Sequence, residues 1–240
     1  GKSCNIVFDD ANFERAVDGS LVNIFSNSGQ ICIAGSRILV QRGIAERFID
    51  AFVARTRSLI IGSPLDPTTE VGPMAFKAHQ QRVLDHIARA TSEGATLLCG
   101  GEAPTNLGGG YFITPTVFQV KSNDLALCQE EVFGPVVSIQ IFDNDEEALS
   151  IANDSRYGLV GYCWTNSLAR TQAFQRQVDA GTLWINTPLA RDLRAPFGGF
   201  KESGIGRDGP RQAADFFTEE KATISALGNP PIRKLGRLSD

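Results

Sequence analysis

One cysteine is placed where its side chain could attack a bound substrate. Cys32 lies between two isoleucines in a short loop bounded by Gly29 and Gly35, after a run with helical spacing and before an apolar run typical of a buried strand. The glycines let the backbone approach a ligand closely, and a thiolate is a strong nucleophile. We therefore interpret Cys32 as a candidate nucleophile. The alternative is an inert core thiol, because free cysteines are among the most buried residues.

The elements that must position this loop follow from residue spacing. Apolar residues at helical intervals predict a helix over residues 12–26 with Asn12 as its N-cap, and the apolar run over residues 37–41 predicts a strand. The same alternation continues along the chain, and it predicts an α/β fold with a doubly wound, mostly parallel sheet. The further predicted strands cover residues 2–8, 95–98, 116–120, 136–142, 161–165 and 182–186, and the further helices cover 44–61, 78–92, 145–155, 168–180 and 208–217.

Composition excludes several classes of protein. The net charge is −4, and no cluster of Lys and Arg stands out, so nucleic-acid partners are excluded. No apolar run approaches the about 20 residues that a membrane-spanning helix needs, and no signal sequence opens the chain. The five cysteines show no CxxC spacing, which indicates neither a zinc site nor a disulfide framework. We expect a cytoplasmic protein that does not bind a membrane.

The two histidines offer no metal site. His79 and His86 lie seven residues apart on one predicted helix, and no third ligand has a suitable spacing. We interpret both as surface residues and expect no bound metal.

Four motifs in order along the chain carry a resemblance to a known family. The motifs are residues 1–8 (GKS-NIVF), 29–32 (GQIC), 130–135 (EEVFGP) and 196–204 (PFGGFKESG). Together they span most of the sequence, which resembles the cysteine-bearing, C-terminal half of the NAD(P)-dependent aldehyde dehydrogenases. The resemblance implies a catalytic domain over residues 1–217 and, within residues 218–240, a tail and an oligomerisation strand predicted over 221–227. It also implies that the N-terminal dinucleotide-binding domain is absent.

The resemblance also implies a mechanism. Cys32 adds to the carbon of a small-molecule aldehyde, the oxyanion is held by the cysteine's own N–H and an upstream asparagine, hydride passes to NAD or NADP, and water cleaves the thioester. Glu131 is expected to accept hydrogen bonds from the nicotinamide ribose, and Phe133 to pack near the nicotinamide. The asparagine and the glutamate that activates the water lie upstream of Gly1 in the family. We therefore expect a homo-oligomeric protein whose isolated 240-residue chain is inactive.

A loop that contains two arginines indicates the chemical class of the substrate. Arg191 and Arg194 precede Phe197, which in the family lies at the mouth of the substrate tunnel. The sequence of this loop is similar to that of dehydrogenases that act on the semialdehydes formed by aromatic-ring cleavage. A guanidinium group binds a carboxylate in a bidentate manner, so the loop favours a carboxylate-bearing semialdehyde. The alternative for each arginine is a surface pair with Asp192.

Two other functions compete with an aldehyde dehydrogenase. The chain could be a truncated structural or binding product that keeps the fold without activity. It could also be a cysteine hydrolase, in which His79 or His86 would have to serve as the base for Cys32.

Overall fold

The structure is a computed structural model that describes residues 1–236. It contains nine strands, seven α-helices and a short 3₁₀ turn (Ser26–Gly29) within that range. The strands are β1 (Cys4–Val7), β2 (Arg37–Gln41), β3 (Thr96–Cys99), β4 (Thr116–Val120), β5 (Val136–Phe142), β6 (Tyr157–Gly158), β7 (Val160–Trp164), β8 (Thr182–Ile185) and β9 (Phe200–Lys201). The helices are α1 (Phe13–Phe25), α2 (Arg42–Arg57), α3 (Lys77–Ser92), α4 (Ala126–Gln129), α5 (Asp145–Asn153), α6 (Leu168–Gln177) and α7 (Pro210–Phe217).

Seven strands form one sheet in the order β3-β4-β5-β2-β1-β7-β8. Every neighbouring pair is parallel except β3 and β4, which confirms the predicted doubly wound, mostly parallel sheet. The central strand β2 shows why both faces are covered. Ile38 and Val40 join the apolar core that contains α1 and α2, whereas Leu39 joins the core that contains α5 and α6. Each such buried side chain contributes about 1.5 to 3 kcal/mol to folding.

The observed boundaries of the strands agree closely with the predicted ones where the apolar runs in the sequence are long. The predicted strands over residues 37–41, 116–120 and 136–142 match β2, β4 and β5. Asn12 caps α1 as predicted, because its side chain accepts a hydrogen bond from the Arg15 N–H at 3.2 Å. α4 and the small β6–β9 pairing were not predicted, because elements this short show no periodic pattern of apolar residues.

The predicted strand over residues 221–227 is not formed in the single chain. These residues form no helix or strand, and Ile224 and Leu227 are fully exposed at 97% and 101%. A strand needs a partner for its backbone N–H and C=O groups, and the described part of the chain supplies none. Residues 237–240 of the predicted tail lie outside the described residues. Over the described range, no helix combines the length and apolar character needed to cross a bilayer.

Candidate active site

Cys32 is exposed in the loop that leads into β2. The other four cysteines are buried. The exposure of Cys32 contradicts the alternative of an inert core thiol. A sharp turn produces this exposure, since Asn27, Ser28 and Gly29 all have positive φ angles, of 49°, 57° and 71°.

Hydrogen bonds hold the loop on both sides of Cys32. One set joins it to the segment that leads into α3, and another joins it to β7. The loop therefore presents the thiol from a backbone anchored to two separate elements. The bonds run from the Ser28 hydroxyl to the Gly72 carbonyl at 3.0 Å, from the Ala75 N–H to the Gln30 side-chain oxygen at 2.9 Å, and from the Tyr162 hydroxyl to the Ile33 carbonyl at 2.9 Å.

The cysteine loop lies directly against the turn that contains Glu131 and Phe133. A Cβ atom at Gly29 would stand 2.1 Å from the carbonyl oxygen of Gly134, so only glycine fits there. The contact follows from the sheet, because the two loops lead into β2 and β5, which are parallel neighbours. Glu131 and Phe133 are both half-buried, and the Glu131 carboxylate contacts the backbone nitrogen of Gly1. The structure thus brings Glu131 and Phe133 close to the Cys32 loop.

Two buried titratable side chains border this region. Burial lowers the pKa of Lys2 to about 8, and its amino group has no hydrogen-bond partner among the described residues. Burial also raises the pKa of the Tyr162 phenol, which keeps that hydroxyl protonated as a donor to Ile33. The interior beneath the loop therefore disfavours charge.

Cys32 lines a cleft of about 660 Å³. Residues 189–193 and 195–197 form one wall of it, and Trp184 lines it as well. Trp184 is fixed by stacking on Tyr162, with ring centroids 5.1 Å apart, and by donating its indole N–H to the Ala190 carbonyl. A cleft of this size, mostly apolar with a few polar groups, suits a small molecule.

The two predicted substrate arginines differ in their surroundings. Arg191 and Phe197 both line the cleft. The guanidinium carbon of Arg191 lies 5.5 Å from the centroid of the Phe197 ring. Arg194 forms a bidentate ion pair with Asp192 at 3.0 and 2.7 Å, and its side chain is 87% exposed. The pair lowers the pKa of the Asp192 carboxyl. Arg194 is not among the described residues that line the cleft, so its geometry matches the surface-pair alternative.

His79 contacts the turn that contains Phe133, which the sequence did not predict. It is only 3% exposed, so the prediction of a surface histidine is wrong. Its Nε2 lies 2.7 Å from the Phe133 carbonyl oxygen, and its Nδ1 lies 2.9 Å from a guanidinium nitrogen of Arg82. The available signal was its spacing, because His79 is four residues before Val83, at the start of the buried face of α3 that continues through Ile87.

Neither histidine is placed to assist Cys32 as a hydrolase would require. Both ring nitrogens of His79 are engaged, and neither His79 nor His86 is among the described residues that line the Cys32 cleft. Within residues 1–236, no group of three or more His, Cys, Asp or Glu side chains is arranged to hold a metal ion.

Fold and site together define an α/β domain of the class that presents a cysteine thiol to a small-molecule cleft. Residues 1–223 match the sequence profile of the aldehyde dehydrogenase family. The chain belongs to this family.

Individual relatives agree with this assignment. The chain is 42% identical over 229 residues to a betaine aldehyde dehydrogenase of Rhizobium leguminosarum bv. trifolii, covering 95% of this chain and 47% of the relative. It is 40% identical over 224 residues to a 2-hydroxymuconic semialdehyde dehydrogenase of a Pseudomonas strain, covering 92% and 46%. A crystal structure of betaine aldehyde dehydrogenase from Staphylococcus aureus in complex with NAD⁺ superposes with a TM-score of 0.88 at 39% identity, covering 90% of this chain and 43% of that one. The chain spans about half the length of these relatives.

Proposed function

We propose that this chain is the cysteine-bearing half of an NAD(P)-dependent aldehyde dehydrogenase that oxidises an aldehyde to a carboxylate. The observation that carries the proposal is the exposure of Cys32 in a cleft, within a chain that belongs to this family. We call the chain joined to the N-terminal half that its relatives possess the completed enzyme.

Cys32 forms and breaks the covalent bonds in this proposal. Its sulfur adds to the carbonyl carbon and gives a thiohemiacetal. The backbone N–H of Cys32 donates to no acceptor among the described residues, so it is free to donate to the developing oxyanion. Loss of hydride converts the thiohemiacetal to a thioester, and attack by water releases the carboxylic acid and restores the thiol.

Glu131 and Phe133 are proposed to hold the nicotinamide end of the cofactor. They line a second cleft, next to the Cys32 loop, together with Arg82 and His86. The residues fit that role, because a half-buried carboxylate can accept hydrogen bonds from two ribose hydroxyls and an aromatic ring offers a flat apolar face. A nicotinamide bound there supplies the hydride acceptor. The relative of known structure binds NAD⁺, which supports NAD or its phosphate NADP here.

We propose a carboxylate-bearing semialdehyde as the substrate, gripped by Arg191. The likeness to the 2-hydroxymuconic semialdehyde dehydrogenase and the position of Arg191 on the cleft wall support this substrate. The likeness to betaine aldehyde dehydrogenases offers a cationic aldehyde as a second candidate, which the positive charge of Arg191 disfavours.

Arg191→Leu in the completed enzyme tests the proposed activity and substrate together. We expect KM for a semialdehyde with a carboxylate to rise about tenfold. This is the lower end of the range of effects for a charge-assisted hydrogen bond, because Arg191 is exposed. A neutral aldehyde of equal length should be nearly unaffected, and Arg191→Lys should recover part of the loss. The measurement is kcat/KM from NAD(P)H absorbance at 340 nm.

Arg194→Leu is the matched control, since that arginine lies in the same loop and pairs with Asp192. It should change neither substrate's KM appreciably. If Arg191→Leu lowered kcat/KM equally for the acidic and the neutral aldehyde, Arg191 would hold the loop and not the ligand. If the unsubstituted completed enzyme oxidised no aldehyde, the proposed activity would be wrong.

We also propose that the C-terminal segment packs against a second copy of the chain. Large apolar side chains after Glu220 are exposed, including Ile224, Leu227, Ile232 and Leu235, and exposed apolar residues of this kind mark interaction surfaces. The 240-residue chain is therefore expected to form dimers or larger species, and a chain ended at Glu220 should associate less. Light scattering of both chains at equal concentration makes the comparison. Monodisperse monomers from both would contradict this proposal.

A further inference from the structure

His79 fixes the backbone of the turn that carries Phe133. Its imidazole lies between Arg82 and the Phe133 carbonyl, with nitrogen contacts of 2.9 and 2.7 Å. A guanidinium group can only donate hydrogen bonds and stays charged. Nδ1 must therefore be the acceptor, which places the ring proton on Nε2, where it is donated to the Phe133 carbonyl oxygen. The environment selects one neutral tautomer of His79.

The turn needs such support because its backbone is strained. Phe133 has a φ angle of 59°, in the left-handed region that a bulky side chain rarely adopts. The next residue, Gly134, packs closely against the same helix. A Cβ atom at that position would lie 2.9 Å from a methyl carbon of Val83. Helix α3 thus contacts two successive residues of the turn, Phe133 through His79 and Gly134 through Val83.

We propose that His79 is a positioning residue for the nicotinamide cofactor: its Nε2–H holds the Phe133 carbonyl, and this bond keeps Glu131 and Phe133 in the conformation that receives the nicotinamide ribose and ring. The inference rests on the proposed function of Glu131 and Phe133. It assigns the histidine no proton transfer, since both of its ring nitrogens are occupied. Arg82 acts one step further away by selecting the tautomer.

The first test is steady-state kinetics of the completed enzyme. His79→Ala is expected to raise KM for NAD(P) about tenfold, the loss expected for one buried hydrogen bond, with KM for the aldehyde within about twofold of the unsubstituted value. His79→Gln places an N–H donor at the same distance along the side chain and should recover most of the cofactor affinity. Gln81→Ala is the matched control on the same helix, because Gln81 is exposed and, among the described residues, its side chain bonds only Asp85.

The second test reads the turn directly in the 240-residue chain. Amide hydrogen exchange of residues 131–134 and 136 should be faster in His79→Ala than in the unsubstituted chain, and His79→Gln should restore protection. Unchanged exchange in His79→Ala, or an increase in aldehyde KM as large as the increase in cofactor KM, would overturn the inference. An inactive unsubstituted enzyme would instead overturn the proposed function, and the exchange comparison would still decide whether His79 holds the turn.

Discussion

Cys32→Ala in the completed enzyme is expected to lower aldehyde oxidation at least about a thousandfold, because alanine cannot form the covalent intermediate that the reaction needs. The expected loss lies in kcat, since the rest of the cleft remains available to the substrate. Fluorescence quenching on addition of NAD(P) should show unchanged cofactor binding. The measurement is the initial rate of NAD(P)H formation with saturating aldehyde.

Cys99→Ala is the matched control for this substitution. Cys99 is buried in β3 at the far edge of the sheet, and the proposed mechanism does not use its thiol. Its removal should leave the rate within about twofold and lower only stability, by about 1 kcal/mol for the small cavity formed. If Cys32→Ala kept a tenth of the parental rate, Cys32 would not be the nucleophile.

The 240-residue chain by itself is expected to give no aldehyde-dependent reduction of NAD or NADP. Glu131 and Phe133 are proposed to contact only the nicotinamide end of the cofactor, and the chain covers about 47% of its relatives. The half of the relatives that it does not cover is expected to hold the rest of the dinucleotide and to activate the water that cleaves the thioester.

Absorbance at 340 nm with a panel of aldehydes measures this second prediction, with the completed enzyme as the positive control. Alkylation of Cys32 by iodoacetamide in the same preparation, with the four buried cysteines protected, shows that the chain is folded and that the Cys32 thiol is accessible. Aldehyde-dependent absorbance from the pure 240-residue chain would contradict the prediction.

Sequence alone predicted most of the central sheet, because its strands are apolar runs ended by glycine, proline or polar residues. β2, β4 and β5 were bounded correctly for this reason. The segment over residues 221–227 has the same local pattern and forms no strand, since pairing depends on a partner and not on the residues themselves. Local pattern predicted the strands that lie inside the sheet and failed where the partner is not in the described chain.

The sequence indicated only some of the residues of the candidate site. The family resemblance pointed to Cys32, Glu131 and Phe133, but nothing in the sequence distinguished Arg191 from Arg194, which flank the same aspartate. Their difference arises from the path of the loop, which turns one guanidinium toward the cleft and leaves the other beside Asp192.

The contact of His79 with the turn was not predicted, because it depends on a hydrogen bond across 54 positions of sequence. Helical spacing could have predicted its burial. It could not have predicted the carbonyl group that its ring contacts.

The central claim is that Cys32 carries the acyl group of the substrate. A single-turnover reaction of the completed enzyme with aldehyde and NAD(P), quenched in acid and followed by peptide mass mapping, tests it most directly, because a thioester survives acid. We predict that the mass of the acyl group appears on the peptide containing Cys32, at times between hydride transfer and release of the acid, and that Cys99 and the other buried cysteines stay unmodified. Formation of NAD(P)H with the acyl group on a different residue, or on none at any quench time, would contradict the account.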